Sequence, residues 1–326
     1  MDAVTVNNGR AEMFYTGAKP WHGLGTEVAA ALTSAEAIKA AGLDWKVTRV
    51  PALYMAGGSI KEVPNKYVNI REDNKYPLGI VGPDYTIVPN PDVFKFFDAV
   101  VGEKAAMYHT AGSLFGGKKL WLLAKLPQDT IVKNVDISKN YLLLANSHDG
   151  SSNLKVMFTS VRTVCWNTLN LAIEDAKMHG GIAKLRHTAS IGGRVGKVQE
   201  FLGLTAGLIN RFSLKANELA GQSISSAIVT DFFERMGLTV KTGDSQTAQT
   251  KKVNMQRVIS RRIDYTGEKM PAISGTKWAL LNGFTDYVDH DKTVKPSNDI
   301  DKWTDSILFG SGAELKQKAL DVVCAL

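Results

Sequence analysis

The stretch KVMFTSVRTVCWNTLNLAIEDA, residues 155–176, changes its hydrophobic period near the middle and so decides the fold. From Lys155 to Cys165, successive residues alternate between two faces, and Met157 lies on the same face as Cys165. This alternation is typical of a β-strand. Beyond Asn167, a favoured helix-capping residue, apolar residues recur at helical spacing. The pattern predicts a strand, a corner at the cysteine, and a helix over 168–178.

Length and composition are those of a folded globular protein. The chain has 326 residues, of which 44% are hydrophobic and 22% are charged, and these values argue against a disordered or fibrous protein. No apolar run approaches the roughly 18 residues that a bilayer span needs, and the N-terminus has no basic-then-apolar leader. We therefore expect no membrane partner and an intracellular location.

The order of predicted elements indicates an α+β fold. Short β-prone runs separated by Gly, Pro and Asn clusters predict an antiparallel β-sheet with hairpins packed by helices, followed by a mostly helical lobe. We divide the chain into an irregular N-terminal arm and helix at 1–44, a sheet-plus-helix core at 45–180, and a mainly helical C-terminal lobe at 181–326. A basic segment at 251–269 belongs to this lobe.

A glycine-rich stretch from Gly112 to Lys119 matches the pattern GxxxxGK, which is found in phosphate-binding loops. Such a loop needs a helix after its glycines, whereas the pair Gly116–Gly117 precedes a β-prone run that ends at Pro127. We interpret the pair as a hairpin turn and expect no nucleotide cofactor. Lys118 and Lys119 would then lie at the hairpin base, within reach of a phosphate backbone.

Catalytic and metal-binding motifs are not evident in the sequence. The six histidines show no HExxH motif and no short paired spacing, so we predict neither a metal site nor any other cofactor. Cys165 has His179 and His187 within about two dozen residues, which leaves an enzyme acting on nucleic acid or nucleotide as an alternative. The apolar neighbours of Cys165 on its strand favour a packed thiol, and we predict no catalytic residue.

Basic residues are concentrated in two blocks. The net charge is +7, and residues 155–197 contain seven Lys or Arg against two acids, with a second basic block at 251–269. A helix N-terminus at the predicted corner could bind phosphate, and an exposed aromatic ring there could stack on a base. We expect Phe158 in the core and Lys316 outside any binding site. The predicted nucleic-acid-binding residues are Lys118, Lys119, Lys155, Arg162, Trp166, Asn167, Lys184, Arg186, Arg194 and Lys197.

Three motifs carry a resemblance to a known family. PWHGLG at 20–25, RTVCWNTLNLA at 162–172 and GTKWALLNGFTDYVDH at 275–290 resemble a family of phage- and plasmid-encoded proteins catalogued as a domain of unknown function. The resemblance implies a mobile element and the cytoplasm of a bacterial host. Basic proteins of this size in that context often act on replicating or recombining DNA.

The order of elements resembles a second group of proteins. A helix at 91–101, a hairpin at 106–126, strands at 141–165 and a helix at 168–178 are similar to the core of the single-strand annealing recombinases of the RecT, Redβ and Rad types. This resemblance implies ATP-independent binding and annealing of single-stranded DNA by a ring or filament of identical subunits. The open alternative is a protein–protein interaction module whose charge is only solvated.

Overall fold

In the described part of the chain, a large β-sheet, a small β-sheet, a separate strand pair and several helices build the α+β fold, as the sequence predicts. The structure is a computed structural model. It describes residues 5–7, 9–17, 24–28, 32–95, 107–162, 168–170, 182–188, 205–295 and 299–326. The helices with both ends in these ranges are α1 (Ser34–Ala40), α2 (Thr205–Ala220), α3 (Ser226–Arg235), α4 (Gln246–Lys269), α5 (Lys277–Asp286), α6 (Ile300–Leu308) and α7 (Ser311–Ala325). Residues 90–95 are also helical, in the part of the predicted helix at 91–101 that the structure describes.

The strands fall into a large sheet, a small sheet and one separate pair. In chain order they are β1 (Val6–Asn7), β2 (Arg10–Ala11), β3 (Met13–Thr16), β4 (Thr26–Val28), β5 (Val47–Ala56), β6 (Ser59–Arg71), β7 (Pro77–Val81), β8 (Met107–Leu114), β9 (Lys119–Lys125), β10 (Thr130–Val132), β11 (Asp136–Ser147), β12 (Leu154–Arg162), β13 (Thr168–Asn170) and β14 (Ile182–Leu185). The large sheet has the order β13-β12-β11-β9-β8-β3-β4, with β10 paired to β11 and β14 to β12. Strands β5, β6 and β7 form the small sheet, and β1 pairs with β2.

The hairpin that the Gly-Gly pair predicts is confirmed. Strands β8 and β9 pair antiparallel and are joined by a 3-10 turn at Phe115–Gly117. Gly116 and Gly117 have φ angles of 72° and 97°, a region that glycine enters without steric cost. Because strand β9 and not a helix follows the glycines, the geometry of a phosphate-binding loop is not formed.

Four strands, β1 to β4, lie in the N-terminal segment for which the sequence pattern predicts an irregular arm, and two of them join the large sheet. Strand β3 pairs antiparallel with β8, and β4 pairs parallel with β3. Met13 and Tyr15 pack on one face of the large sheet and Phe14 on the other, and all three are buried. Central strands buried on both faces read as continuous apolar runs without alternation, which hides them in the sequence.

The predicted helix at 168–178 is wrong at its start. Thr168, Leu169 and Asn170 form strand β13, which pairs antiparallel with Val161, Ser160 and Thr159 of β12. The outer edge of β12 offers backbone hydrogen bonds to these three residues, and this tertiary gain exceeds their weak helical preference. The remainder of the predicted helix, at 171–178, lies outside the described residues.

Helices cover both faces of the large sheet. Phe158 of β12 is fully buried, as predicted, and packs edge-on against Phe212 of α2, with ring centroids 6.1 Å apart. Phe212 in turn packs on Trp278 of α5, whose Nε1 donates a hydrogen bond to Asp136. On the opposite face, Ile307 and Leu308 of α6 join the cluster of Leu143 and Met157. The core is therefore a sheet between two helical layers.

Candidate nucleic-acid interface

Helix α4 carries a row of exposed basic and aromatic side chains. Arg257, Arg261, Tyr265 and Lys269 follow one another at intervals of four residues, and all four are exposed. Residues four apart are neighbours on a helix surface, so these side chains form one continuous row about 18 Å long. We call them the α4 row. It combines cationic groups with an aromatic face, the two elements of sequence-tolerant single-strand binding.

Local sequence and close packing fix the position of the row. Ser245 caps α4 by accepting a hydrogen bond from the amide of Ala248. On the inner side, Ile259 is fully buried, and Gly283 of α5 lies so close that an added Cβ atom would be 2.7 Å from the backbone nitrogen of Ile263. The inner side of α4 is therefore held against α5, and the row faces outward.

Two further basic residues on α4 are already paired. Lys252 lies 2.8 Å from the Asp244 carboxylate, and Arg262 bonds to Asp286 and Asp291. In the row, Arg257 donates only to the amide oxygen of Asn254, and both residues are exposed. The charges of the row are therefore available to a polyanion, as is that of exposed Lys251 on the same helix.

Tyr265 supplies the aromatic surface of the row. Its side chain is 42% exposed, and the Lys269 ammonium lies 5.5 Å from the ring centroid in a cation–π arrangement. Two exposed acids, Asp264 and Glu268, also lie on this helix and weaken the local positive field. Four basic residues are exposed on α4, namely Lys251, Arg257, Arg261 and Lys269, so the exposed charge stays positive.

Three of the predicted binding residues meet at one end of the large sheet. The register places Lys155 of β12 opposite Ala145 of β11 and position 184 of β14 opposite Lys155. Lys119 of β9 is paired with Ser147 of β11, and Lys119 and Lys155 line one cavity of about 180 Å³. This end of the sheet is a second basic feature.

An acid from the helical lobe neutralises part of this second feature. The Lys119 ammonium lies 2.6 Å from the Asp305 carboxylate on α6, with the two side chains only 20% and 24% exposed. Lys118 is half-buried directly after the hairpin turn, and its carbonyl accepts a hydrogen bond from the amide of His148. The α4 row is for this reason the stronger candidate for a polyanion surface.

The other predicted residues are dispersed or lie outside the described ranges. Position 162 ends β12 opposite Ser138, about 23 Å along the strand from Lys155 at 3.3 Å per residue. Arg186 follows β14 and is exposed. The predictions that fall outside the described residues concern Trp166, Asn167, Arg194 and Lys197, together with Cys165 and His179.

Sequence reasoning identified the basic block at 251–269 but did not single out Tyr265 as an exposed ring in it. The signal was present in the spacing, because Arg257, Arg261, Tyr265 and Lys269 recur every four residues in a stretch with good helix formers. The number of charged residues alone does not distinguish the exposed cations of this row from Lys252, which is paired. Only the fold shows which charges remain exposed.

Fold and surface together define a class: an α+β protein with a two-sided sheet and a basic, aromatic face on one helix. Within that class, the chain belongs to the family described as Domain of unknown function (DUF932), whose model matches residues 77–307. The match covers the sheet from β8 onward and extends through α4 and α5. It includes two of the three motifs that carried the resemblance, at 162–172 and 275–290.

Comparisons with curated proteins and with solved structures identify no relative of the chain. No curated protein and no solved structure matches the chain. None of the helices in the described part of the chain combines the length and the hydropathy that crossing a membrane requires.

Proposed function

We propose that the protein binds single-stranded DNA and anneals complementary strands without ATP, in the cytoplasm of a bacterium that carries a phage or plasmid. The α4 row is the observation that supports this function best. Lys and Arg side chains hold phosphates without reading sequence, and an exposed ring stacks on any base. Annealing needs a strand held by its backbone with bases accessible and requires no catalytic group.

The row predicts how binding depends on salt. Each phosphate contact contributes roughly 0.7 to the slope of log affinity against log salt for a single strand. Arg257→Ala and Arg261→Ala should each lower the slope by about that amount and weaken binding to all oligonucleotides alike. Tyr265→Ala should cost about 1–3 kcal/mol of binding with the slope unchanged, because stacking is not ionic. Fluorescence anisotropy of a labelled oligonucleotide across a salt series measures both quantities.

A matched control is the substitution Lys318→Ala. Lys318 is also an exposed cation on a helix, but it lies on α7 and has no aromatic residue four positions away. Its substitution should leave affinity and slope unchanged. A flat salt response of the native protein, or equal losses from Arg261→Ala and Lys318→Ala, would show that the row is only a solvated surface. Strand annealing is then followed with two complementary labelled oligonucleotides.

We further propose that the protein assembles with copies of itself through the small sheet. Met55 of β5 and Ile60 of β6 are cross-strand partners and are 76% and 68% exposed. The run from 50 to 60 contains no charged residue, and β5 lies at the edge of its sheet. Pro51 and the register shift between Pro51 and Leu53 interrupt the first part of this edge, so the uncharged stretch 53–56 is the part that favours association with a second copy.

Assembly is tested by light scattering with and without DNA. We expect a ring or filament at micromolar protein, and a shift toward monomer in Met55→Lys, because a charge on the edge opposes strand pairing. Lys61→Ala, on the same hairpin, should leave the assembly intact. A monomeric native protein would contradict this proposal while leaving the binding experiment unaffected.

A further inference from the structure

The hairpin of β5 and β6 ends in an arm that projects from the small sheet. Gly57 and Gly58 form its turn, with φ angles of 57° and 77°. Every residue from 53 to 66 is exposed except Ala56 and Val63, which are half-buried. A two-stranded hairpin that is exposed on both faces gains little stability from packing on its own chain. The arm is therefore placed to contact another molecule.

One face of the arm is apolar. Leu53 and Met55 are two positions apart on β5, so they point to the same side of the hairpin. Their cross-strand partners on β6, Glu62 and Ile60, lie on that side too. Each of the three apolar side chains is at least 59% exposed. We call these four residues the arm face. Its one charge is that of Glu62, because the neighbouring Lys61 points to the other side.

A second exposed apolar surface lies at the turn between β10 and β11. Ile131 and Ile137 are cross-strand partners on these two strands, and Val135 belongs to the turn. All three side chains are exposed. Lys133 lies in the same turn, and Lys139 follows Ile137 by two positions and so shares its side of β11. We call these five residues the turn patch. It is an apolar surface with two positive charges.

The charges of the two surfaces are complementary. Asp136 is the only acid between 130 and 140, and it is fully buried. The preceding acid, Asp129, lies 4.0 Å from the Lys125 ammonium. The turn patch is therefore positive, whereas the arm face carries the negative charge of Glu62. Opposite charges at an apolar contact select the partner and fix its orientation, and like charges oppose a contact between two arm faces or two turn patches.

The small sheet, which bears the arm, and the turn patch lie at opposite ends of β11. The amide nitrogen of Asn69 in β6 donates a hydrogen bond of 2.7 Å to the carbonyl of His148, which directly follows β11. The turn patch lies at the start of this strand, and Ile137 and Ser147 are about 33 Å apart at 3.3 Å per residue. Both surfaces are exposed, so neither covers the other in the same chain.

We propose that the arm face of one subunit packs on the turn patch of the next subunit, so that the copies assemble head to tail. This inference rests on the self-association proposed above and names the second surface that takes part in it. A contact between two identical surfaces closes as a pair and adds no third copy. A contact between two different surfaces leaves one of each exposed at the ends and continues into a ring or a filament.

Two variants that each block one surface test this contact on the full chain. Ile137→Lys should weaken self-association at least 10-fold in sedimentation velocity, as Met55→Lys does, because each buries a lysine in the apolar contact. An equimolar mixture of the two should form a 1:1 dimer and nothing larger, since the intact arm of one variant fits the intact patch of the other. The matched control is Ile80→Lys, because Ile80 is 65% exposed on β7 but lies outside both surfaces. It should assemble as the native protein does.

The outcomes separate this inference from the proposal on which it rests. A monomeric native protein would overturn both. If the native protein assembles and Ile137→Lys assembles equally well, self-association stands and the turn patch is not its second surface. Monomers in the mixture of variants, or an equal loss of assembly in Ile80→Lys, would also overturn the head-to-tail contact. Circular dichroism and the melting temperature of each variant show that a loss of assembly is not a loss of folding.

Discussion

Replacement of Arg71 by Ala is expected to lower the free energy of unfolding by about 3–5 kcal/mol. Arg71 is fully buried, and its guanidinium donates two hydrogen bonds to the Glu12 carboxylate, at 2.6 and 3.1 Å, and two to Asp73, at 2.7 and 3.0 Å. Removal of the guanidinium leaves Glu12, which is only 3% exposed, as an uncompensated buried charge. Urea denaturation followed by circular dichroism measures the loss.

The effect should be large because Arg71 joins both sheets. It ends strand β6 of the small sheet, whereas Glu12 directly precedes β3 of the large sheet. Arg71 also donates to the carbonyl of Gly116 in the hairpin turn and lies 4.1 Å from the centroid of the Trp45 ring. Loss of the guanidinium therefore loosens the contact between the two sheets.

Arg49→Ala is the matched control for this prediction. Arg49 also lies over an aromatic ring, that of Tyr67, at 4.6 Å, and donates to the carbonyls of Pro83 and Tyr85. Because Arg49 is exposed, its removal leaves no buried charge without a partner. We therefore expect the free energy of unfolding to fall by about 1 kcal/mol or less. Similar losses in the two variants would contradict the assignment of Arg71 as the link between the sheets.

Hairpins and helices could be predicted from the sequence because each depends on residues that are close together in the chain. The β8–β9 hairpin depends on adjacent glycines, and the β11–β12 hairpin on two β-prone runs joined by a DGSS turn. The burial of Phe158 follows from its place on the strand. The helical lobe beyond residue 205 follows from period and capping residues.

Features that depend on distant partners could not be predicted in this way. The pairing of β13 with β12 needs an open strand edge, which no local pattern reveals. The rings of Tyr85 and His187 stack although the two residues are far apart in the chain, and no local pattern detects this contact. For the candidate interface, composition located the basic block, but the distinction between paired Lys252 and exposed Arg261 needs the fold.

The environment of Lys316 in the fold could not be predicted from the sequence. A lysine in a segment rich in acids is normally solvated, and from the sequence we predict only that Lys316 lies outside any binding site. In the fold Lys316 is fully buried, and its ammonium lies 2.7 Å from the Asp289 carboxylate, which is itself buried in the π-helical turn after α5. Burial lowers the pKa of Lys316, while the Asp289 charge opposes that shift.

Lys316→Ala should therefore lower the free energy of unfolding by about 3–5 kcal/mol, because it removes the ammonium that offsets the charge of the buried Asp289 carboxylate. The midpoint of urea denaturation should fall with little change in its slope. Lys318→Ala, on an exposed position of the same helix, should change stability by about 0.5 kcal/mol or less. If replacement of either lysine lowers the free energy of unfolding by the same small amount, the ion pair between α7 and the turn after α5 does not hold the helical lobe together. If only Lys316 is sensitive, the charge pair at the centre of this lobe is required for the packing that supports α5 and, through it, the α4 row.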